Sequence, residues 1–322
     1  MAFVSRLLNI TFTLGAGGAT PNFAESGTNT LTLSGVRAQA TILKSGGPGL
    51  NTMQLVIYGM TLSQMNQLST LGMKLQLYQN NTVTVQAGDA QSGMGTVFIG
   101  NISNGYANLN AQPEVGFIVE AHSLGAAAAA GAPPSSYQGS ADVAIVLQNL
   151  ATAANLKFEN NGVNIKIQNP YLWGSLRDQM FKVVKTAGIE WNRGDNGVLA
   201  IWPRNGSRGG AVPVVAPPPA GGMIGYPTFT AQGIVVRTMF DPSISIGGQI
   251  QVQSSIQPLL STALNNPNQQ AQGAGGAMQD RSSGIWAVFG LTYELATLMP
   301  GGKWEMIMQC KNPKFAGAIP AP

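Results

Sequence analysis

The first 125 residues alternate apolar and polar side chains with a period of two in six short runs. These are "LNITFTL" (8–14), "NTLTLSGVRAQATI" (29–42), "NTMQLVIYG" (51–59), "TVTVQA" (82–87), "GTVFIGNI" (95–102) and "VGFIVEA" (115–121). Glycine or Asn/Gly pairs separate them. Successive side chains of a strand point to opposite faces, so this pattern fits strands with one buried face. Many short strands at this spacing predict an antiparallel sandwich or barrel. The same pattern returns at "TFTAQGIVVRTMF" (228–240), "GQIQVQSSI" (248–256), "IWAVFGLTYEL" (285–295) and "KWEMIMQC" (303–310).

Between these regions the period changes. "SADVAIVLQNLATAAN" (140–155) and "LWGSLRDQMFKVVKTAG" (172–188) read as helices. A strand is expected at 163–167, and further strands at "IEWN" and "VLAIWP" around a turn at "RGDNG" (193–197). The predicted fold is therefore mainly β, with antiparallel β domains flanking a small α/β unit. Charge marks the same divisions. Residues 155–208 carry twelve charged side chains, whereas 209–279 carry only Arg237 and Asp241. Two Ala/Pro/Gly segments lie near the boundaries and read as linkers. The expected organisation is a β domain at 1–125, a linker at 126–137, the α/β domain at 138–208, a linker at 209–221, and a second β domain at 222–322. The polar, Gly-rich segment 265–284 is expected to be a mobile loop in that last domain.

Only 9% of the residues are charged, against a usual value of about 25%. With 44% hydrophobic residues the chain is not of the disordered class. A surface poor in Lys, Glu and Asp fits a protein that covers much of itself with partners. The net charge of +4 comes with no Lys/Arg stripe, which argues against reading of nucleic-acid sequence. The single cysteine, Cys310, excludes an intrachain disulfide and fits folding in the cytoplasm. The N-terminal run is broken by Asn9 and Thr11 and reads as a strand rather than a signal peptide.

Few groups could carry chemistry. His122 is the only histidine, so no transition-metal cluster is expected, and a dyad with Cys310 has no local support. Glu190 with Asp195, and Glu114 with Glu120, are the carboxylate pairs considered for glycoside hydrolysis. They read as solvated turn and edge residues. "PGGKW" (300–304) lacks the spacing of a phosphate loop and reads as a hairpin turn, and no helix opens after "GAGG" (15–18). Trp173, Trp191, Trp202, Trp286 and Trp304 could form a sugar or base platform but read better as core. No catalytic residue, cofactor, metal or small-molecule substrate is expected.

Five stretches carry a family resemblance: "FAESGTNTLTLSGVRAQATILKSGGP" followed by "MQLVIYGMTLSQMNQLSTLG", then "VFIGNISNGYANLNAQPEVGFIVEA", and "GYPTFTAQGIVVRTMFDPSISIGGQIQVQSSI" with "WAVFGLTYELATLMPGGKWEM". They resemble baseplate hub proteins of contractile-tailed bacteriophages, over nearly the whole chain and in domain order. The resemblance implies two tail-tube-like β-barrel domains per chain and a homotrimer forming a pseudo-sixfold ring. That ring would join the sixfold tail tube to the threefold central spike, as a symmetry adaptor. It would touch other baseplate and tape-measure proteins and pass DNA through its channel during ejection. The expected location is the virion tail baseplate, assembled in the host cytoplasm. Alternatives are a tail-tube or related injection-device subunit, a tail-tip wall-degrading enzyme, and a carbohydrate-binding β protein.

One short helix is predicted within the first β domain, over 62–71. Thr61 and Gln64 have capping-box spacing, and Gly72 supplies a stop. Nothing between Lys44 and Lys74 is charged. Leu62, Met65, Leu68 and Leu71 should pack on the barrel. Ser63, Asn66, Gln67 and Thr70 form an uncharged polar face, which suits an assembly interface better than open solvent.

Overall fold

The alternating runs form strands because one face of each is apolar and buries. The computed structural model describes residues 5–15, 22–46, 50–70, 81–89, 93–123, 132–193, 197–204, 206–254 and 282–312. The first β region supplies β1 (Arg6–Thr13), β2 (Thr30–Ser34), β3 (Ala38–Ser45), β4 (Thr52–Tyr58), helix α1 (Leu62–Leu68), β5 (Thr82–Asp89), β6 (Gly93–Asn108) and β7 (Gly116–His122). The middle region supplies β8 (Ser135–Ser136), β9 (Ser140–Asp142), α2 (Val143–Ala153), β10 (Lys157–Asn160), β11 (Lys166–Gln168), β12 (Tyr171–Leu172), α3 (Leu176–Ala187), β13 (Ile189–Arg193) and β14 (Val198–Pro203). The last region supplies β15 (Val214–Val215), β16 (Thr228–Thr230), β17 (Gly233–Met239), β18 (Gln249–Val252), β19 (Gly284–Thr297) and β20 (Trp304–Lys311). The chain is mainly β with a small α/β unit, as the periodicity predicts. Segment 265–281 lies outside the described residues.

The strands of the first and last regions share one 13-stranded sheet, ordered β16-β17-β20-β19-β3-β4-β7-β6-β5-β1-β2, with β18 also on β19 and β15 on β18. The join is the antiparallel pairing of β3 with β19, from Gly290 opposite Ser45 to Thr297 opposite Ala38. One core runs across that join. It includes Ile10, Phe12, Leu55 and Val119 from one region and Val236, Ile250, Leu291 and Met308 from the other. Each such side chain contributes about 1.5–3 kcal/mol when fully buried. The seam also holds Lys44, buried in β3 with its Nζ 4.3 Å from the centre of the Tyr293 ring.

The two regions repeat one strand unit. In the first, a single row of facing residues crosses four strands: Ile42, Met53, Ala121 and Ile102. In the second, the row is Phe229, Ile234, Cys310 and Val288. The register shifts immediately after Ile102 in β6 and immediately after Val288 in β19. One residue before the shift, Asn101 faces Thr82 and His122, and Ala287 faces Gln249 and Lys311. Thus β3, β4, β7, β6 and β5 correspond to β16, β17, β20, β19 and β18. The outermost strands differ, since β1 pairs antiparallel with β5 while β15 pairs parallel with β18.

The α/β unit has its own core, built from Val143, Leu147, Met180, Val184, Leu199 and Ile201 among others. Its sheet is β10-β14-β13. The helices are shorter than the predicted 140–155 and 172–188, because side chains end them. Asp142 caps α2 by accepting from the Ala144 N–H, and Ser175 with Asp178 forms a capping box on α3. Gly188 closes α3 at φ 63°, a left-handed value that favours glycine. Strand β11 falls at 166–168 rather than 163–167, and β10 at 157–160 is an element the alternation does not signal. The described residues leave out 194–196 of the predicted turn. Strand β14 faces both cores: Leu199 and Ile201 enter the α/β core, while Ala200 and Trp202 enter the main one. Glu190 strengthens the attachment. It accepts from Trp202 Nε1 at 3.0 Å and is ion-paired with Lys311 of β20.

Candidate assembly interface

Helix α1 begins as its sequence predicts. Thr61 accepts from the Gln64 N–H, and the Gln64 side chain accepts from the Thr61 N–H, closing the capping box. The helix ends at Leu68, not at 71. Ser69 is already extended (φ −67°, ψ 134°), and Thr70 turns to the exposed side of β6. There the Thr70 N–H donates to the Gly105 carbonyl at 2.9 Å, and the Gly105 N–H donates to Thr70 Oγ1 at 3.0 Å. Leu71 and Gly72 lie outside the described residues. Glycine is needed at 105 because a Cβ there would sit 2.9 Å from the Leu68 carbonyl and 3.3 Å from the Phe117 ring.

Met65 and Leu68 are buried, as the helical wheel predicts. Leu62 is not: it is 63% exposed. The charge missing from the helix comes from elsewhere in the chain. Glu25 receives hydrogen bonds of 2.7 Å from both Thr61 Oγ1 and Gln64 Nε2. On the polar face, Ser63 and Asn66 are exposed. Gln67 is half-buried, with its side-chain amide near the Asn22 carbonyl and the Ala24 N–H at 3.5 and 3.4 Å. Thr70 is half-buried against Asn104 and Gly105. The face thus offers Leu62, Ser63 and Asn66 outward, while Gln67 and Thr70 hold the helix in place.

The residues considered for chemistry do not converge. His122 ends β7 and Cys310 lies in β20, strands that are not neighbours in the sheet. Burial pushes the Cys310 thiol up to about 12. Glu190 is taken up by Trp202 and Lys311, and Asp195 lies outside the described residues. Glu114 pairs with Arg37 at 2.9 Å, while Glu120 sits within β7 opposite Gln54 and Asn104. Among the described residues no three His, Cys, Asp or Glu side chains gather as metal ligands. Trp191, Trp202, Trp286 and Trp304 are buried core residues. Trp173 is 57% exposed and stacks under Lys182, whose Nζ is 3.3 Å from the ring centre. "PGGKW" joins β19 to β20 as a turn, with Lys303 ion-paired to Glu294. Of "GAGG", residues 16–18 lie outside the described residues.

Sequence reasoning missed the charged ladder beside that turn. Arg237 in β17 donates to both carboxylate oxygens of Glu305, at 2.7 and 2.9 Å. Burial works to raise the Glu305 pKa, but Arg237 and Lys303 outweigh it and hold the carboxyl below its usual range. Such pairs come from sheet register, which local sequence does not display. A cavity of about 520 Å³ lies between the end of β5, the start of β6 and the second strand unit, bordered by Asp89, Asp241, Phe240 and Trp304.

The main sheet is thus a doubled antiparallel unit with an α/β unit attached to it. Residues 7–264 match the family described as Baseplate hub gp41. The chain belongs to that family and is a structural component of a phage tail baseplate. Its fold is similar to the tail protein from Neisseria meningitidis MC58, at 8% identity and a TM-score of 0.58, covering 95% of this chain and 96% of that one. It is equally similar to the 43 kDa tail protein of prophage MuSo2 from Shewanella oneidensis, at 9% identity and a TM-score of 0.58, covering 96% and 98%. An E. coli protein described as a component of the type VI secretion system follows, at 11% identity and a TM-score of 0.51, covering 89% and 76%. No curated protein matches the sequence.

Proposed function

We propose that three copies of this chain form a ring at the tail tip, joining a sixfold tail tube to a threefold central spike and continuing the DNA channel. The observation that carries this reading is the doubled strand unit. Two like units per chain in a trimer present six similar units to the tube, while the whole ring keeps threefold symmetry toward the spike. The β regions 1–125 and 222–322 are the two ring domains, and the α/β domain 138–208 sits toward the periphery. A chain built as a tube subunit would need one such unit, so the doubling favours the hub.

The role is structural rather than enzymatic, and four buried tryptophans leave no aromatic row for glycans. The partners are two further copies of the chain, the tube protein, the spike, and other baseplate and tape-measure proteins, with DNA only in transit. Assembly takes place in the host cytoplasm. The polar face of α1, through Ser63 and Asn66 and supported by Gln67 and Thr70, contributes to contacts in the baseplate. Light scattering and electron microscopy of the purified chain, alone and with its spike, test the reading. A threefold ring with a central hole is expected, and a chain that stays monomeric in both conditions refutes it.

A further inference from the structure

The repeat locates a contact that the described residues of the single chain leave open. In the second unit, the edge of β19 beyond its register shift is covered by β3 of the first unit, with Ile42 opposite Tyr293. Tyr293 stands five residues after Val288. The corresponding residue of β6, five after Ile102, is Ala107. Among the described residues no strand pairs with β6 there on the side away from β7. Conversely, β16 is the counterpart of β3. It ends the sheet, and its three residues are all exposed, with Phe229 59% accessible.

We propose that β16 of one copy pairs antiparallel with the end of β6 of the next, setting Phe229 opposite Ala107, Thr230 opposite Tyr106 and Thr228 opposite Asn108. This rests on the ring reading above and gives it a register. The backbone is oriented for it. Thr70 occupies the Gly105 N–H and C=O on the outer side of β6, so by strand alternation the Ala107 groups point to that same side. Thr230 and Gly233 close a two-residue turn and bond to each other, so the Phe229 groups point away from β17.

Strand length agrees. Strand β3 has eight residues and meets an open β19 edge. The β6 edge is closed at Gly105 by Thr70, which leaves Tyr106, Ala107 and Asn108 for the three residues of β16. The second unit has no counterpart of α1, because residues 240–248 connect β17 directly to β18. A contact between two different edges is heterologous, and under rotation it closes a ring. It also covers two strand edges that would otherwise invite uncontrolled pairing.

The test is a disulfide pair in the full chain. Facing residues that do not exchange hydrogen bonds have Cα atoms about 4.5 Å apart, within disulfide range. Thr228→Cys with Asn108→Cys should therefore give covalent dimers and trimers on mild oxidation. Thr228→Cys with Tyr106→Cys is out of register by two residues, about 7–8 Å apart, and should not. Ala107→Pro removes the edge N–H while the β7 side stays paired, and should abolish rings while the thermal unfolding transition of the chain is kept. Rings that form without the Thr228/Asn108 cross-link, or that survive Ala107→Pro, overturn this register and leave the ring reading standing. Absence of any ring from the unmodified chain overturns both.

Discussion

Glu25 and Gln64 are 39 residues apart in sequence, yet the Gln64 amide donates to the Glu25 carboxylate at 2.7 Å while its carbonyl oxygen caps the Thr61 N–H. One loop carboxylate therefore serves the start of a helix that has no charge of its own. Replacing Glu25 with Ala removes both hydrogen bonds at an exposed site. The expected cost is about 1 kcal/mol in denaturant unfolding, with Thr61→Ala costing a similar amount through the lost cap.

Gly105→Ala is expected to cost more, about 1–3 kcal/mol, because the new methyl meets the Leu68 carbonyl at 2.9 Å and must push α1 off β6. Chemical denaturation gives the free energy. Hydrogen exchange should show lost protection at Thr70 and Leu68 before the sheet is affected.

Acid should loosen the α/β unit through Glu159. Its hydrogen bonds from Arg208, at 3.1 and 2.7 Å, hold its carboxyl below the ordinary glutamate value. A depressed folded-state pKa contributes stability above the unfolded value, and that stability fades as pH falls through the folded value. Glu159→Gln should therefore flatten the acid limb of the stability–pH profile below about pH 4.5 and lower stability at neutral pH. A profile unchanged by the substitution would refute this.

The exposed part of α1 gives a test of assembly alone. Ser63→Glu with Asn66→Lys places charges where the wild type has none, at positions outside the internal hydrogen bonds of Gln67 and Thr70. Ring formation should fall at least tenfold in sedimentation, with unfolding free energy within about 0.5 kcal/mol of wild type. Unaltered assembly would mean that this face points to solvent.

Much of this was legible in the chain. Alternation located most of the long strands, and capping chemistry located the start of α1. Four features were not. The end of α1 depends on Thr70 finding Gly105, which is a tertiary contact. The exposure of Leu62 depends on how the helix seats on the sheet, which a helical wheel does not fix. The repeat is invisible to inspection because the matched rows share little: Ile42, Met53, Ala121 and Ile102 against Phe229, Ile234, Cys310 and Val288. Sheet register preserves geometry while side chains diverge, so only pairing reveals it. The candidate interface was legible as an absence of charge, but its division into outward Ser63 and Asn66 and inward Gln67 and Thr70 was not.

In the proposed ring, doubling of one strand unit lets three chains imitate sixfold symmetry. Electron microscopy of the purified assembly, averaged without imposed symmetry, measures this directly. A ring of three chains with six similar lobes around a central channel is expected. A ring of six chains, or a closed particle with no channel, would contradict it.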